Sequence, residues 1–441
     1  MSAPKSVIST QIKPGEAFPS QWLSWSMWGI AALFYLTAFY QLMSPAVMTT
    51  ELMRDFRLGA KDLGSLSAFY FYFYVAMQIP VGVLIDSWGA KKLLVAGALA
   101  SAVGTFVVAA TSSFALACAG RAVVGSATAV GWLALLRVAA HWLPPKQFAT
   151  VTGFGLCIGN IGAVLAQVPL RLAIEDFGWR AVMTASAAFI TGVGILAWVV
   201  VKNDPAERGF RSYAPAAMQA GKNQRPSLGL GFKRIFAHRN PWLIFFAQGG
   251  IVGPLLTFTS LWGGPFLRVR FGLAPKRAAA VCSVMIICWA VAAPIFGHLS
   301  DRIGRRKPLY LAGAIVLLVG WILMFYVRDL PLAAFVAVAA LTSLATGSII
   351  LGFPFGKESV PVQFSGTIAG IITCGNMIGP MLLNSGIGRL LDQRWSGQMV
   401  NGLRDYGVEA FQVAFVLAIG WSVLSSLLLS FTKETGCQQR A

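Results

Sequence analysis

Acidic residues are scarce in this chain: 16 Asp and Glu stand against 35 Lys and Arg in 441 residues, and all charged side chains together make up 12%. A soluble domain carries about twice that charge, so a solvated globular surface is excluded. Cysteine is nearly as sparse, at six, with no CxxC spacing and no clustered histidine; Cys118, Cys157, Cys282, Cys288, Cys374 and Cys437 read as free thiols. A disulfide framework and a metal centre are therefore not expected, and neither is a cofactor. The chain also lacks a phosphate-binding glycine loop and a spaced nucleophile and base, which argues against an enzyme and against ATP as the energy source. The formal charge of +19 is dealt out among short loops rather than gathered in one patch, so nucleic acid is not an expected partner.

What is abundant is apolar: 56% of the residues are hydrophobic. A helix crossing a bilayer needs about 20 such residues, at about 1.5 Å of rise each, to span about 30 Å of hydrocarbon. Twelve stretches qualify, near 22–47, 63–85, 93–112, 114–140, 150–172, 181–201, 241–267, 277–299, 309–327, 332–355, 364–391 and 409–431. The first comes after a polar segment and precedes further spans, so it reads as an anchor rather than a cleaved signal. Residues 1–21 form an N-terminal tail, 22–201 a first six-helix bundle, 202–240 a basic linker, 241–431 a second bundle and 432–441 a C-terminal tail. The linker is too polar to enter lipid, and Phe232 to Phe236 reads as an interfacial helix. Placing both termini in the cytoplasm puts the larger share of Lys and Arg inside, as in a bacterial inner-membrane protein.

The two bundles repeat one turn. Gly82-Val83-Leu84-Ile85-Asp86-Ser87-Trp88-Gly89-Ala90-Lys91-Lys92 returns 215 positions later as Gly297-His298-Leu299-Ser300-Asp301-Arg302-Ile303-Gly304-Arg305-Arg306-Lys307. A weaker echo, Gly159-Asn160 and Gly375-Asn376, has a separation of 216. Duplicated membrane bundles point to a carrier whose halves rock about one binding site. Gly82 and Gly297 have no side chain to hold another helix away, and Asp86 and Asp301 sit where a carboxylate meets free N–H groups or an arginine. Such a latch, completed by Gly89, Lys91, Lys92, Arg302, Gly304, Arg305 and Arg306, would bias which face is open.

The repeated turn resembles the signature loop of the major facilitator superfamily, and the twelve spans in two sixes are similar to that family over nearly the whole chain. The resemblance implies an all-α fold of two pseudo-symmetric six-helix bundles. It implies that helices 1, 4, 7 and 10 line a cavity, that 2, 5, 8 and 11 form the seam, and that 3, 6, 9 and 12 face lipid. In the first copy Ser87 and Ala90 replace a basic residue usual in the family, which implies a weaker latch there than at Arg302, Arg305 and Arg306. The fifth helix lacks the glycine-proline pair of the family's drug exporters.

No acid falls at the middle of a span; Glu358, beside Lys357, comes nearest, and reads as an interfacial ion pair. Arg121 is different. It lies about 9 Å from the centre of the fourth helix by the usual rise, with no acid at its depth. A guanidinium cannot shed its proton, so it needs an anion, water or carbonyl groups; snorkelling, or pairing with Glu51 or Asp55, would also serve. Arg121, Gly125, Thr128 and Trp132 share one helical face, and the arginine with a glycine four residues on matches the family. Further cavity candidates are Thr37, Tyr40 and Gln41 in helix 1, Gln248, Thr259 and Trp262 in helix 7, and Thr346 in helix 10. The aromatic run Phe69 to Tyr74 reads as packing, and Gln167 and Asn384 as bonds at the seam.

The leading expectation is a gradient-driven carrier of a small organic anion, a carboxylate or phosphate ester, acting as an importer or exchanger. Its partners are the bilayer, the small-molecule substrate, and a proton or an exchanged anion, with the monomer as working unit. A neutral or zwitterionic solute (amino acid, dipeptide, siderophore) and a non-transporting sensor of the same fold are the alternatives.

Overall fold

The computed structural model describes residues 17–214, 238–361, 365–400 and 403–438. The expected helix at Phe232 to Phe236 lies outside them. Twelve apolar helices account for nearly all of the described chain: α1 (Gln21–Val47), α2 (Ala60–Ile85), α3 (Ser87–Ala110), α4 (Phe114–Trp142), α5 (Thr150–Phe177), α6 (Trp179–Val200), α7 (Arg239–Phe271), α8 (Pro275–Ile303), α9 (Lys307–Tyr326), α10 (Leu332–Glu358), α11 (Thr367–Gln393) and α12 (Val408–Ser430). The helical ladder satisfies each helix's own N–H and C=O groups, which is what lets it cross hydrocarbon. The one departure from all-α among the described residues is a two-residue hairpin, β1 (Met399–Val400) with β2 (Leu403–Arg404), beyond the end of α11.

Burial orders the helices. In their most apolar windows α7, α1 and α4 are 83, 72 and 67% buried, against 33% for α6 and α12. The first three are therefore central. Phe189, Trp198, Ile315, Val319, Val416 and Leu427 on α6, α9 and α12 are exposed, as lipid-facing side chains are. Helix α3 exposes Leu99, Val103 and Phe106 as a lipid-facing helix does, yet its window is 61% buried, more than that of α6. Gly104 lies against Gly120 of α4, and Gly194 of α6 against Ala98, so α3 is wedged between two neighbours.

Because the described residues hold an even number of spans, α1 begins and α12 ends on one side, here termed the terminal face. The hydrogen bonds between bundles gather toward the opposite face. Asp392, at the end of α11, accepts from the Ala60 and Lys61 amides at 3.1 and 2.9 Å, capping the first turn of α2. The Tyr406 hydroxyl donates to the same carboxylate at 2.6 Å and accepts from Ala60 N–H at 2.8 Å. Arg404 adds a 3.1 Å bond. Below this cap α2 and α11 touch through glycine: a Cβ on Gly64 would lie 2.3 Å from the Asn384 carbonyl oxygen, and one on Gly388 2.4 Å from that of Ala60.

The second seam is α5 with α8, and beside it α5 is bonded to α7 where both of these helices are irregular. Helix α5 breaks at Gln167 (φ −99°, ψ −105°). Helix α7 contains Pro254 and, four residues on, a π-helical turn over Phe258–Trp262. The buried Gln167 side-chain amide donates to the Thr259 carbonyl at 3.0 Å, linking the two breaks. Arg268 also reaches Thr50 across the divide at 2.7 Å.

At the terminal face a Cβ placed on Gly82 or Gly297 would meet nothing within 4 Å. This corrects the expectation that these glycines bring helices together: in this conformation the close approach is at Gly64 and Gly388 instead. The molecule is closed at the opposite face and parted at its repeated turns.

Replacing Asp392 with Ala is expected to part the bundles more readily at the opposite face, since losing a carboxylate cap costs about 1–2 kcal/mol, roughly a 5- to 30-fold change in a closed-to-open ratio. A cysteine at Ser67 should then label faster from the opposite face. Unchanged labelling would show that the cap carries no closing energy.

Candidate functional site

Helix α4 is built from two segments, Phe114–Thr128 and Val130–Trp142. Its predicted face does not stand open; it is seated on Tyr70 of α2. A Cβ on Gly125 would come within 2.1 Å of the Tyr70 carbonyl oxygen, so only glycine admits this crossing. The Thr128 hydroxyl donates to the Tyr70 hydroxyl at 2.9 Å, and the Arg121 guanidinium carbon lies 4.9 Å from the Tyr70 ring centroid. Trp132 packs on Tyr35 of α1 at 5.3 Å. Tyr70, read from the sequence as packing, is thus the residue around which the α4 face is organised.

Arg121 is 4% exposed. Its Nη1 donates to the Gln41 carbonyl at 2.9 Å, while Nε and Nη2 are buried without a hydrogen-bond partner. Both acids considered for it are engaged elsewhere. Glu51 binds Arg171 at 2.7 Å; Asp55 accepts from the Trp179 indole at 2.8 Å and pairs with Arg54 at 3.1 Å. Snorkelling is likewise ruled out by the burial of the guanidinium. One carbonyl bond and a cation–π contact offset about 1–2 kcal/mol each. Stripping water from an ion costs several kcal/mol, so the site is short of negative charge.

A small cavity lies beside the guanidinium, with about 20 Å³ open to a water centre, room for about one water molecule. Gln41, Ser67, Thr105 and Met183 are among the side chains that line it, and its lining comes from the first bundle alone. The Gln41 side-chain nitrogen is also buried without a partner.

The other candidates are dispersed. Thr37 donates to the Phe34 carbonyl of its own helix at 2.7 Å, and Tyr40 bonds Ser186 of α6 at 3.0 Å. Thr259 donates to Leu255 at 2.8 Å and lies at the seam, as does Trp262, whose ring sits against Gly64. Gln248 and Thr346 are wholly buried within the second bundle: the Gln248 amide is unpartnered beside Gly352, and Thr346 bonds the Thr342 carbonyl at 2.9 Å. Arg121, Gln41 and Thr128 therefore form one group, and the remaining seven do not join it.

At the repeated turns, each copy is clipped by the segment beyond the last helix of its own bundle. In the first, Gly89 turns the chain at φ 81° and the Lys91 amide donates to Asn203 Oδ1 at 2.8 Å. Lys91 also lies 5.4 Å from the Trp198 ring, and Lys92 is exposed. The Asp86 side chain lies outside the described ones. In the second, Gly304 ends α8 at φ 72°, and the Arg306 and Lys307 amides donate to Glu434 at 3.0 and 2.9 Å. Arg306 binds Glu358 at 2.9 Å and Asp301 at 2.5 Å, while Arg302 and Arg305 are exposed. Of the two partners expected for Asp301, free N–H groups or an arginine, the structure gives the arginine, Arg306, from the same turn. Glu358 is an ion pair as expected, with Arg306 as partner.

The ends of α4 and α10 at the terminal face are tied to the same segments. His141 bonds Asp204 at 2.7 Å, and Thr435 donates to Glu358 at 2.5 Å. Burial alone would raise both Asp204 and Glu434, but backbone N–H donors, and for Asp204 also His141 and Ser212, hold both carboxyls below their ordinary values.

The chain belongs to the Major Facilitator Superfamily, whose profile matches residues 27–289 and 263–437. It is a multi-pass membrane transporter. A probable sulfoacetate transporter of Cupriavidus necator is 23% identical, over 83% of this chain and 87% of its own. A probable galactarate/D-glucarate transporter of Escherichia coli is also 23% identical, over 79% of this chain and 84% of its own. The fold matches the solved structure of a bacterial homolog of the human lysosomal transporter Spinster, described as inward-facing and unoccupied. There the TM-score is 0.75 at 17% identity, covering 93% of this chain and 97% of the other.

The depressed carboxyls predict an acid dependence. Ordinary values are about 3.9 for Asp and 4.3 for Glu, and the folded values are lower. Their stabilising contribution is thus complete above those values and is lost as pH falls through the folded ones. Melting monitored by tryptophan fluorescence from about pH 6 to about pH 3 should show a drop that Glu434→Gln makes smaller. An equal drop in the variant would remove Glu434 from the cause.

Proposed function

We propose that this protein is a gradient-driven carrier of a small organic anion, a carboxylate or phosphate ester, with Arg121 as the counter-charge. The observation that carries this reading is a buried guanidinium with two unpartnered nitrogens, while Glu51 and Asp55 bind other groups. The relatives named above are described as transporters of sulfoacetate and of sugar diacids, which are anions, and this supports the same class of substrate here. Gln41 and Thr128 complete the site, Gln41 as a donor to the anion and Thr128 by fixing Tyr70.

The terminal face is the cytoplasmic side of a bacterial inner membrane in this reading, since the linker and both tails carry much of the positive charge. The carrier then stands open inward. The monomer is the working unit, because one chain contains both rocking bundles. Direction is set by the gradient, as import or as exchange for a second anion, with a proton as the other coupling partner. Tyr40, Gln248, Thr259, Trp262, Thr346 and Thr37 support the helices around the path.

Substituting Arg121 with Gln is expected to lower anion uptake into proteoliposomes at least 100-fold while leaving the melting temperature within a few degrees. Arg121→Lys should keep a fraction of the activity, because the point charge persists but the planar fork is lost. Undiminished flux in the Gln variant would remove the anion assignment.

A further inference from the structure

We infer that Trp262 and Asn384 of the second bundle, closing on Gly64 and Ser67 of the first, form the gate at the opposite face, and that shutting this gate leaves polar atoms unpaired, which poises it to open. The inference stands on the carrier fold and not on the nature of the ligand. Three observations carry it.

The first is where the bundles touch. A Cβ on Gly64 of α2 would lie 2.3 Å from the Asn384 carbonyl oxygen of α11 and 3.3 Å from Trp262 Cζ2 of α7. Three helices from the two bundles thus meet at one glycine, with no room there for a methyl group. Ser67 lies on the same face of α2, and its hydroxyl accepts from the Asn384 amide. Ser67 also lines the cavity beside Arg121, so the gate borders that site.

The second is what this contact leaves unpaired. Trp262 and Asn384 are 1% and 0% exposed. The Trp262 indole Nε1 and Asn384 Oδ1 are buried without a hydrogen-bond partner, and so is Oε1 of Gln167, whose amide nitrogen bonds Thr259 in the same turn of α7 as Trp262. The Asn384 amide nitrogen reaches Ser67 only at 3.5 Å, beyond the usual range of about 2.7–3.2 Å. A donor or acceptor stripped of water and left unpaired costs more than an ordinary hydrogen bond returns. Parting the bundles at this face lets water reach all three atoms and removes that cost.

The third is what opposes these atoms. Short bonds from Ala60, Lys61 and Tyr406 to Asp392 hold the rim of the same seam, one turn of α2 before Gly64. The closed face is therefore well bonded at its rim and poorly bonded beneath it. A seam satisfied throughout would hold a single state, whereas this division keeps the two states close in energy.

The test reads alkylation of Cys282 by N-ethylmaleimide in the full-length protein in detergent, with the modified peptide identified by mass spectrometry. Cys282 is 1% exposed and lines a small cavity walled by both bundles beside Gln167, so parting the opposite face uncovers it. Trp262→Phe deletes the indole N–H and keeps an aromatic ring, and Asn384→Leu deletes the amide at similar size. Each is expected to slow alkylation by about threefold or more without lowering the melting temperature, because the closed seam then buries fewer unpaired groups. Gly64→Ala is expected to speed it by about threefold or more, because the methyl group has no place in the closed seam. Unchanged or faster alkylation in both Trp262→Phe and Asn384→Leu would overturn the inference, and so would an unchanged rate in Gly64→Ala. Should one of the two apolar variants not fold, the other decides alone.

Discussion

A guanidinium at bilayer depth sets the terms for the rest of this molecule. Arg121 cannot become neutral, and the packing that surrounds it supplies one carbonyl and one aromatic face where a full counter-charge is needed. The crossing of α2 over α4 at Gly125, the Tyr70 ring pinned by Thr128, and the diversion of Glu51 and Asp55 to other partners preserve that imbalance. Glu51 and Asp55 are spent on the short helix and loops at the opposite face, so neither neutralises Arg121.

Around this centre the molecule separates what is rigid from what moves. Each bundle is fastened to itself at the terminal face by the segment beyond its sixth helix: Asn203 and Asp204 in the first, Glu434 and Thr435 in the second. Those clips do not cross between bundles, so they preserve each bundle as a body. The bonds that do cross, through Asp392 and Gln167, lie toward the opposite face. Motion therefore requires giving up a small number of localised interactions while the clips stay intact.

Much of this was legible in the sequence, for reasons that are local. Twelve spans arise from runs of apolar residues, the pairing of bundles from a repeat, and the isolation of Arg121 from a count of acids along the chain. Contacts between distant segments were not legible in that way. Asp392 caps a helix 332 residues earlier, and no local pattern distinguishes it from any loop carboxylate. Tyr70 lies in an aromatic run whose spacing fits packing equally well, and its role emerges only once Arg121 and Thr128 are placed against it. Gly82 and Gly297 mark a turn that the sequence locates correctly, but which seam is shut depends on a balance between two global states, to which residues at both faces contribute.

The π-helical turn in α7 has a mechanical consequence. Such a turn holds one more residue than the regular helix on either side, and that surplus is anchored by Gln167 of the other bundle. Releasing the anchor frees the surplus to be reabsorbed, and each residue passed along an α-helix turns the remainder of that helix by about 100°. The stretch Gly263–Phe271, which carries Arg268, can thereby swivel about its own axis like a screw advancing one thread, reorienting its side chains without unwinding the backbone.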